Sequence, residues 1–239
     1  MSYHYPETFL NNFISTGYSE TLRAVLRRVY LWMTLGLFTT AGTAAFVSSS
    51  PIFQVLVGQP WLFFILLVAE LGLVIGISWG INKISSSTAV ALFVVYAIIN
   101  GLTLSVLFVA YSLGSITATF AASAALFGVM SIIGFTTKLD LSKVGTYLLM
   151  GLIGLVIAMV ISMFWASSTL SWIVTFAGII LFLGLTIYDT QRIKRMTSAA
   201  INQDDESVEA RLGILGALSL YLDFINLFLF MLRLGGRRR

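Results

Sequence analysis

Seven stretches of this chain stay apolar for about 20 residues each, and that feature decides what it can fold into. The runs are 29–47, 61–81, 88–110, 116–135, 145–165, 169–189 and 212–234. At 1.5 Å per residue, about 20 residues cross a hydrocarbon layer of roughly 30 Å. The composition agrees: 10% of the 239 residues are charged, where a soluble domain carries about 25%, and 58% are hydrophobic. One core of this size could not hide so many apolar side chains. The expected fold is therefore an all-α integral membrane protein with seven transmembrane helices. The longest pieces outside the runs, residues 1–28 and 190–211, are too short for a core of their own.

Composition also removes much chemistry. With no cysteine there is no disulfide, thiolate nucleophile or cysteine-ligated metal, and a single histidine, His4, leaves no multi-histidine site. A net charge of +4 does not point to nucleic acid, because the basic residues flank the apolar runs. They are orientation signals. Arg23, Arg27, Arg28, Lys83, Lys138, Lys143, Arg192, Lys194, Arg195 and Arg211 all fall on one side of an alternating topology, and the opposite loops hold none. Basic residues stay cytoplasmic, so the N-terminus is expected inside. Arg233 and Arg237 to Arg239 conflict with this, since seven crossings send them outside; the alternative is a late segment that enters and returns on one side.

The chain divides into a cytoplasmic N-terminus (1–28), a membrane domain (29–235) and a basic tail (236–239). Residues 19–30 place Leu22, Val25, Leu26 and Val29 on one face and Arg23 and Arg27 on the other, the pattern of an interfacial helix. Gly72, Gly76 and Gly80 make a small-residue face on the second run, suited to close helix packing. Asp204, Asp205, Glu206 and Glu209 read as a solvated turn, with a calcium-attracting vestibule as the alternative.

An ionisable group within lipid costs some 2.5 kcal/mol or more, so each one needs a partner, water or a task. Three acids qualify: Glu70, Asp189 and Asp223. On the last run Ser219, Asp223 and Asn226 share a face, beside an apolar surface of Leu220, Phe224, Leu227 and Met231. Tyr96, Asn100 and Thr103 form a weaker polar row on the third run. Asp189 can also be read as an interfacial partner of Arg192, and Glu70 as a hydrogen-bonding link between helices. Asp223 lies about 11 residues from either end of its run, too deep to reach water, so a functional role is expected for it.

The segment Leu215 to Gly235, which reads LGALSLYLDFINLFLFMLRLG, closely resembles the C-terminal signature of the Bax inhibitor-1 family. Gly184 to Arg192, Gly128 to Lys138 and Val29 to Gly36 resemble its bacterial branch, so the likeness spans nearly the whole chain. It implies seven helices with the last one central, an inner-membrane location and a pH-sensitive calcium leak. It also implies an aspartate pair at Asp189 and Asp223 that shares a proton, takes up calcium when ionised, and acts with a basic latch residue, for which Lys83 is the candidate. Glu70, Ser219, Asn100 and Asn226 are candidates for the permeation route. Two carboxyls a few Å apart in a low dielectric cannot both ionise cheaply, which makes the pair a proton switch. No cofactor beyond a permeant calcium ion is implied.

Two other classes fit the residues. A non-conducting regulator of a membrane protease or stress complex is compatible with all of them. An intramembrane aspartyl protease also pairs Tyr-Asp on a sixth helix, here Tyr188-Asp189, with an Asp on the seventh. Its glycine-flanked aspartate motif is replaced here by Leu220-Tyr221-Leu222-Asp223, and no Pro-Ala-Leu follows, so the chain is expected not to be an enzyme.

Overall fold

Each apolar run becomes a helix, and most of the helices outrun the hydropathy that announced them. The computed structural model describes residues 7–81, 83–165, 167–200 and 206–237. In chain order its helices are α1 (Glu7–Ser48), α2 (Pro51–Gly58), α3 (Pro60–Gly80), α4 (Ser86–Ala110), α5 (Leu113–Thr136), α6 (Val144–Phe164), α7 (Ser168–Ala200) and α8 (Glu206–Gly235). Among the described residues, all but the short α2 are long and apolar enough to span a bilayer. Local chemistry sets the starts. Pro51 and Pro60 open α2 and α3, where a missing N–H costs nothing. Ser85 and Ser112 cap α4 and α5, accepting from the amides of Thr88 at 3.1 Å and Ser115 at 3.2 Å.

α8 is the axis of the bundle. It packs against α1, α3, α4, α5 and α7, while α6 packs on α7 at the periphery. In its most apolar stretch 67% of the residues are buried, against 6–39% for the other spans. Side chains such as Phe38, Phe64, Trp79, Tyr147 and Phe164 point outward instead, as a lipid solvent permits.

Three expectations change. First, residues 20–30 are not a separate surface helix: α1 runs through them unbroken, with Leu22, Val25 and Val29 buried and Arg23 and Arg27 exposed. The apolar face read as membrane-seeking packs against protein. Second, the glycine face on α3 does not mediate packing within the chain, because a Cβ added at Gly72 or Gly76 would meet nothing within 4 Å. The close approaches occur elsewhere. A Cβ on Gly101 would lie 2.8 Å from the Thr40 carbonyl oxygen of α1, and one on Gly134 would lie 2.6 Å from that of Ile187 on α7. Third, Arg233 and Arg237 sit at the opposite end from the other basic clusters, while Arg238 and Arg239 lie outside the described residues. The Ser112 amide donates to the Arg237 carbonyl at 3.2 Å, the Arg237 amide donates to Ser115 Oγ at 3.0 Å, and Arg233 donates to Ser171 Oγ at 2.8 Å. At the other end Arg28 of α1 pairs with Glu209 of α8 at 3.9 Å. Seven crossings, not a re-entrant segment, resolve the conflict. Asp204 and Asp205 lie outside the described residues.

Helix association in lipid relies on close van der Waals fit, so the two kinds of glycine have opposite consequences. Gly101→Leu should force α1 and α4 apart and cost roughly 1–3 kcal/mol, as overpacking does. Gly76→Leu should leave thermal stability unchanged. Thermal unfolding of both variants in the same detergent checks the contrast.

Candidate functional site

The two aspartates meet because of how α7 and α8 are registered. Phe182 and Phe230 stack at a centroid distance of 5.9 Å, and Gly178 leaves room for the Phe230 ring. α7 and α8 run antiparallel as consecutive crossings. Seven residues onward on α7 and seven back on α8, two helical turns in each case, lead to Asp189 and Asp223. The two carboxyls therefore lie at one level on facing sides, and they interact electrostatically. Hydropathy placed Asp189 at a helix end, but α7 continues 11 residues beyond it and α8 begins at Glu206, so both lie inside helices.

Their surroundings differ. Asp223 is 4% exposed and its Oδ2 has no hydrogen-bond partner. Asp189 keeps a partly exposed side chain, and its cation is Arg192, one turn away at 4.0 Å. The neighbouring hydroxyls of Thr186 and Thr190 donate to carbonyls four residues back, at 2.7 Å each. They are thus committed to their own helix. The Ser131 hydroxyl of α5 is also buried and, like Asp223 Oδ2, has no hydrogen-bond partner. Asn226 donates to the Leu222 carbonyl at 2.8 Å, and Ser219 is half-buried one turn before Asp223. Lys83 is exposed in the turn after α3 and forms no ion pair with either aspartate.

Glu70 belongs to a separate network on the other side of α8. Its carboxylate accepts from Thr103 Oγ1 at 2.8 Å and from Asn100 Nδ2 at 3.3 Å. Asn100 Oδ1 accepts from the Tyr221 hydroxyl at 3.0 Å, and that hydroxyl lies 2.6 Å from Thr40 Oγ1. One chain of polar groups thus ties α3, α4, α8 and α1 together. Phe93 and Tyr96 close edge-on around the Tyr221 ring, at 5.7 and 5.6 Å. Sequence reasoning listed Asn100 and Thr103 but missed Thr40 and Tyr221. The available signal was a tyrosine in the middle of an otherwise Leu- and Phe-rich run, two residues from Asp223 and so about 200° round the helix from it.

A third cluster sits where α7 leaves the bundle. Gln191 donates to the Leu139 carbonyl at 2.6 Å and accepts from the Leu141 amide at 3.0 Å, which clasps the α5–α6 connection. Arg195 reaches Asp140 at 3.0 Å and Ser142 Oγ at 2.6 Å. Hydrogen bonds from Ser142, and then Arg195, hold the Asp140 carboxyl below its ordinary range. Among the described residues no group of three His, Cys, Asp or Glu side chains could hold a metal ion. The aspartate pair offers two carboxyls, enough for a shared proton or a transient cation.

A seven-helix bundle wrapped around a last helix that carries a buried carboxyl, facing a second carboxyl on the helix before it, defines a class of polytopic membrane protein. The family profile described as inhibitor of apoptosis-promoting Bax1 matches residues 22–239, and the chain belongs to that Bax inhibitor-1 family. It is 45% identical over 219 residues to the inner membrane protein YbhL of Escherichia coli strain K12, covering 91% of this chain and 93% of that protein. An uncharacterized protein of Borreliella burgdorferi is 42% identical over 215 residues, covering 90% and 92%. Rickettsia prowazekii protein RP147 is 39% identical over 237 residues, covering 98% of each chain.

The Tyr221 network predicts a stability effect independent of any activity. Tyr221→Phe keeps the ring contacts but strands Asn100 Oδ1 inside the bundle, which should cost about 1–3 kcal/mol. Thermal unfolding of the purified variant measures it, and an unchanged midpoint would remove the hydroxyl from the packing account.

Proposed function

We propose that this protein is a pH-sensitive calcium leak or transporter in which Asp189 and Asp223 act as one proton-sharing gate. The observation that carries the reading is the unpartnered Oδ2 of the buried Asp223, facing a second carboxyl on α7. A buried carboxylate oxygen with no donor is costly, and a proton held between the pair relieves it by a hydrogen bond from one acid to the other. That bond fastens α7 to α8. When both acids ionise they repel each other or accept a cation, and carboxylate oxygens suit calcium. Loss of the shared proton therefore loosens the central helix pair, and the bound proton count becomes the gate.

Glu70 and Asn100 are carried in this reading as a second polar station for a cation, on the opposite side of α8 from the aspartate pair. Ser219 and Asn226 flank Asp223 one turn to either side on α8. An exposed Lys83 gives no support to a latch at that position, and Arg192 is the cation beside Asp189. The reading is non-enzymatic and places the N-terminus in the cytoplasm of a bacterial cell, with the ten basic residues at that end of the bundle.

Calcium flux into liposomes containing the purified protein, followed from pH 6 to 8, tests the gate. Asp189→Asn and Asp223→Asn should each change the pH dependence, and the double variant should change it by less than the sum. Additive effects would mean separate sites, and no flux from folded protein at any pH would favour a non-conducting regulator. Orientation has its own measurement in this cysteine-free chain. A cysteine at Gly58 should react with an impermeant thiol reagent on intact cells, and one at Lys143 should not.

A further inference from the structure

Apart from the aspartate pair and the Glu70 network, a wide cleft opens on the flank of the bundle. α1 and α5 both pack on α8 but do not close on one another. The gap between them has a volume of about 570 Å³ and an almost wholly apolar lining. Tyr30, Leu37 and Ala41 of α1 form one wall, Phe120 and Gly128 of α5 the other, and Phe224 of α8 the floor. The opening is wide enough that a Cβ added at Gly128 would meet nothing within 4 Å. Because the seven spans place this flank in hydrocarbon, the cleft must be filled by something apolar.

Charge identifies the occupant. On α1 the wall residues continue at seven-residue spacing toward the helix start, as Leu37–Tyr30–Arg23 and Ala41–Thr34–Arg27. Seven residues make nearly two full turns, so both arginines lie on the cleft's own stripe, just beyond its basic end. Both are exposed, and neither forms an ion pair or hydrogen bond among the described residues. Along α1 the wall from Tyr30 to Ala41 is about 16 Å long, close to the hydrocarbon depth of one leaflet. An apolar slot with two exposed cations beyond its basic end matches a lipid carrying a phosphate above an acyl chain.

The geometry points to a binding site for one anionic phospholipid, with its phosphate held by Arg23 and Arg27 and an acyl chain laid in the α1–α5 cleft against Phe224. The lipid completes the wall that the protein leaves open around α8. Phe224 follows Asp223 directly and packs edge-on with Phe120 at 5.0 Å and Phe127 at 5.6 Å. An occupied cleft therefore braces the central helix one residue from the aspartate pair.

Native mass spectrometry of the delipidated full-length protein, titrated with dioleoyl-phosphatidylglycerol or dioleoyl-phosphatidylcholine, tests the site. Wild type should retain one phosphatidylglycerol in clear preference to phosphatidylcholine. Arg23→Gln and Arg27→Gln should each reduce that preference roughly fivefold, the effect of about 1 kcal/mol per basic residue at a membrane surface. Gly128→Phe adds a ring at a position whose Cβ meets nothing within 4 Å, on the wall of the cleft, and should lower retention of both lipids. Thermal unfolding of each variant shows that it is folded, and the single arginine variants, altered at exposed positions, keep the test decisive if a combined one fails to fold. Equal retention of the two lipids by wild type would overturn the proposal. So would a preference unchanged in both arginine variants, retention unchanged by Gly128→Phe, or a protein dimer that Gly128→Phe dissociates.

Discussion

The bundle is arranged around one buried carboxyl on its central helix. Asp223 sits on the one helix enclosed by its neighbours, with an oxygen that no donor reaches. A group in that position is tolerated in lipid only if it is neutral or compensated, so the helix beside it has to supply the means. α7 supplies a second acid rather than a base. A base would fix the charge permanently, whereas a second acid leaves the net charge to the number of protons bound, which is the basis of the gate proposed above.

The enclosure of α8 has a second consequence. A helix covered on all sides must satisfy polar groups on more than one face, and α8 does so at two positions about 200° apart. Asp223 turns to α7, while Tyr221 turns to Thr40 of α1 and Asn100 of α4, and through Asn100 to Glu70 of α3. α1 and α3, which do not pack on one another, are thereby joined through α4 and the axis. α3 is the sparsest of them in burial, and the glycines on its surface face outward, so Glu70 is one of its few specific attachments to the rest.

Much of this was legible without coordinates. Hydropathy located all seven spans, because crossing a bilayer demands an apolar length that few other folds require. The three acids stood out for the complementary reason that lipid penalises them. Pairing Asp189 with Asp223 was not legible from spacing. Their apolar runs put one at a boundary and the other at mid-depth, and only the likeness to the family brought them together. The physical reason is the helical continuation of α7 through Arg192, Lys194 and Arg195 into a polar stretch that hydropathy treats as a loop.

The sequence by itself determined the number of crossings, their alternation and the identity of the buried acids, since each follows from transfer between water and hydrocarbon, a property of single residues and short segments. The family likeness implied that the last helix is central, and its burial bears this out; only the tertiary structure decided which glycines are contact points and which side chains complete the networks. Gly72 and Gly76 have the spacing of a packing face yet meet nothing, while Gly134, with Met130 and Lys138 four residues to either side, stands in no such pattern and touches neighbouring backbone. In lipid, helices attract through fit rather than through exclusion from water, and fit is a relation between two surfaces that neither sequence segment contains alone.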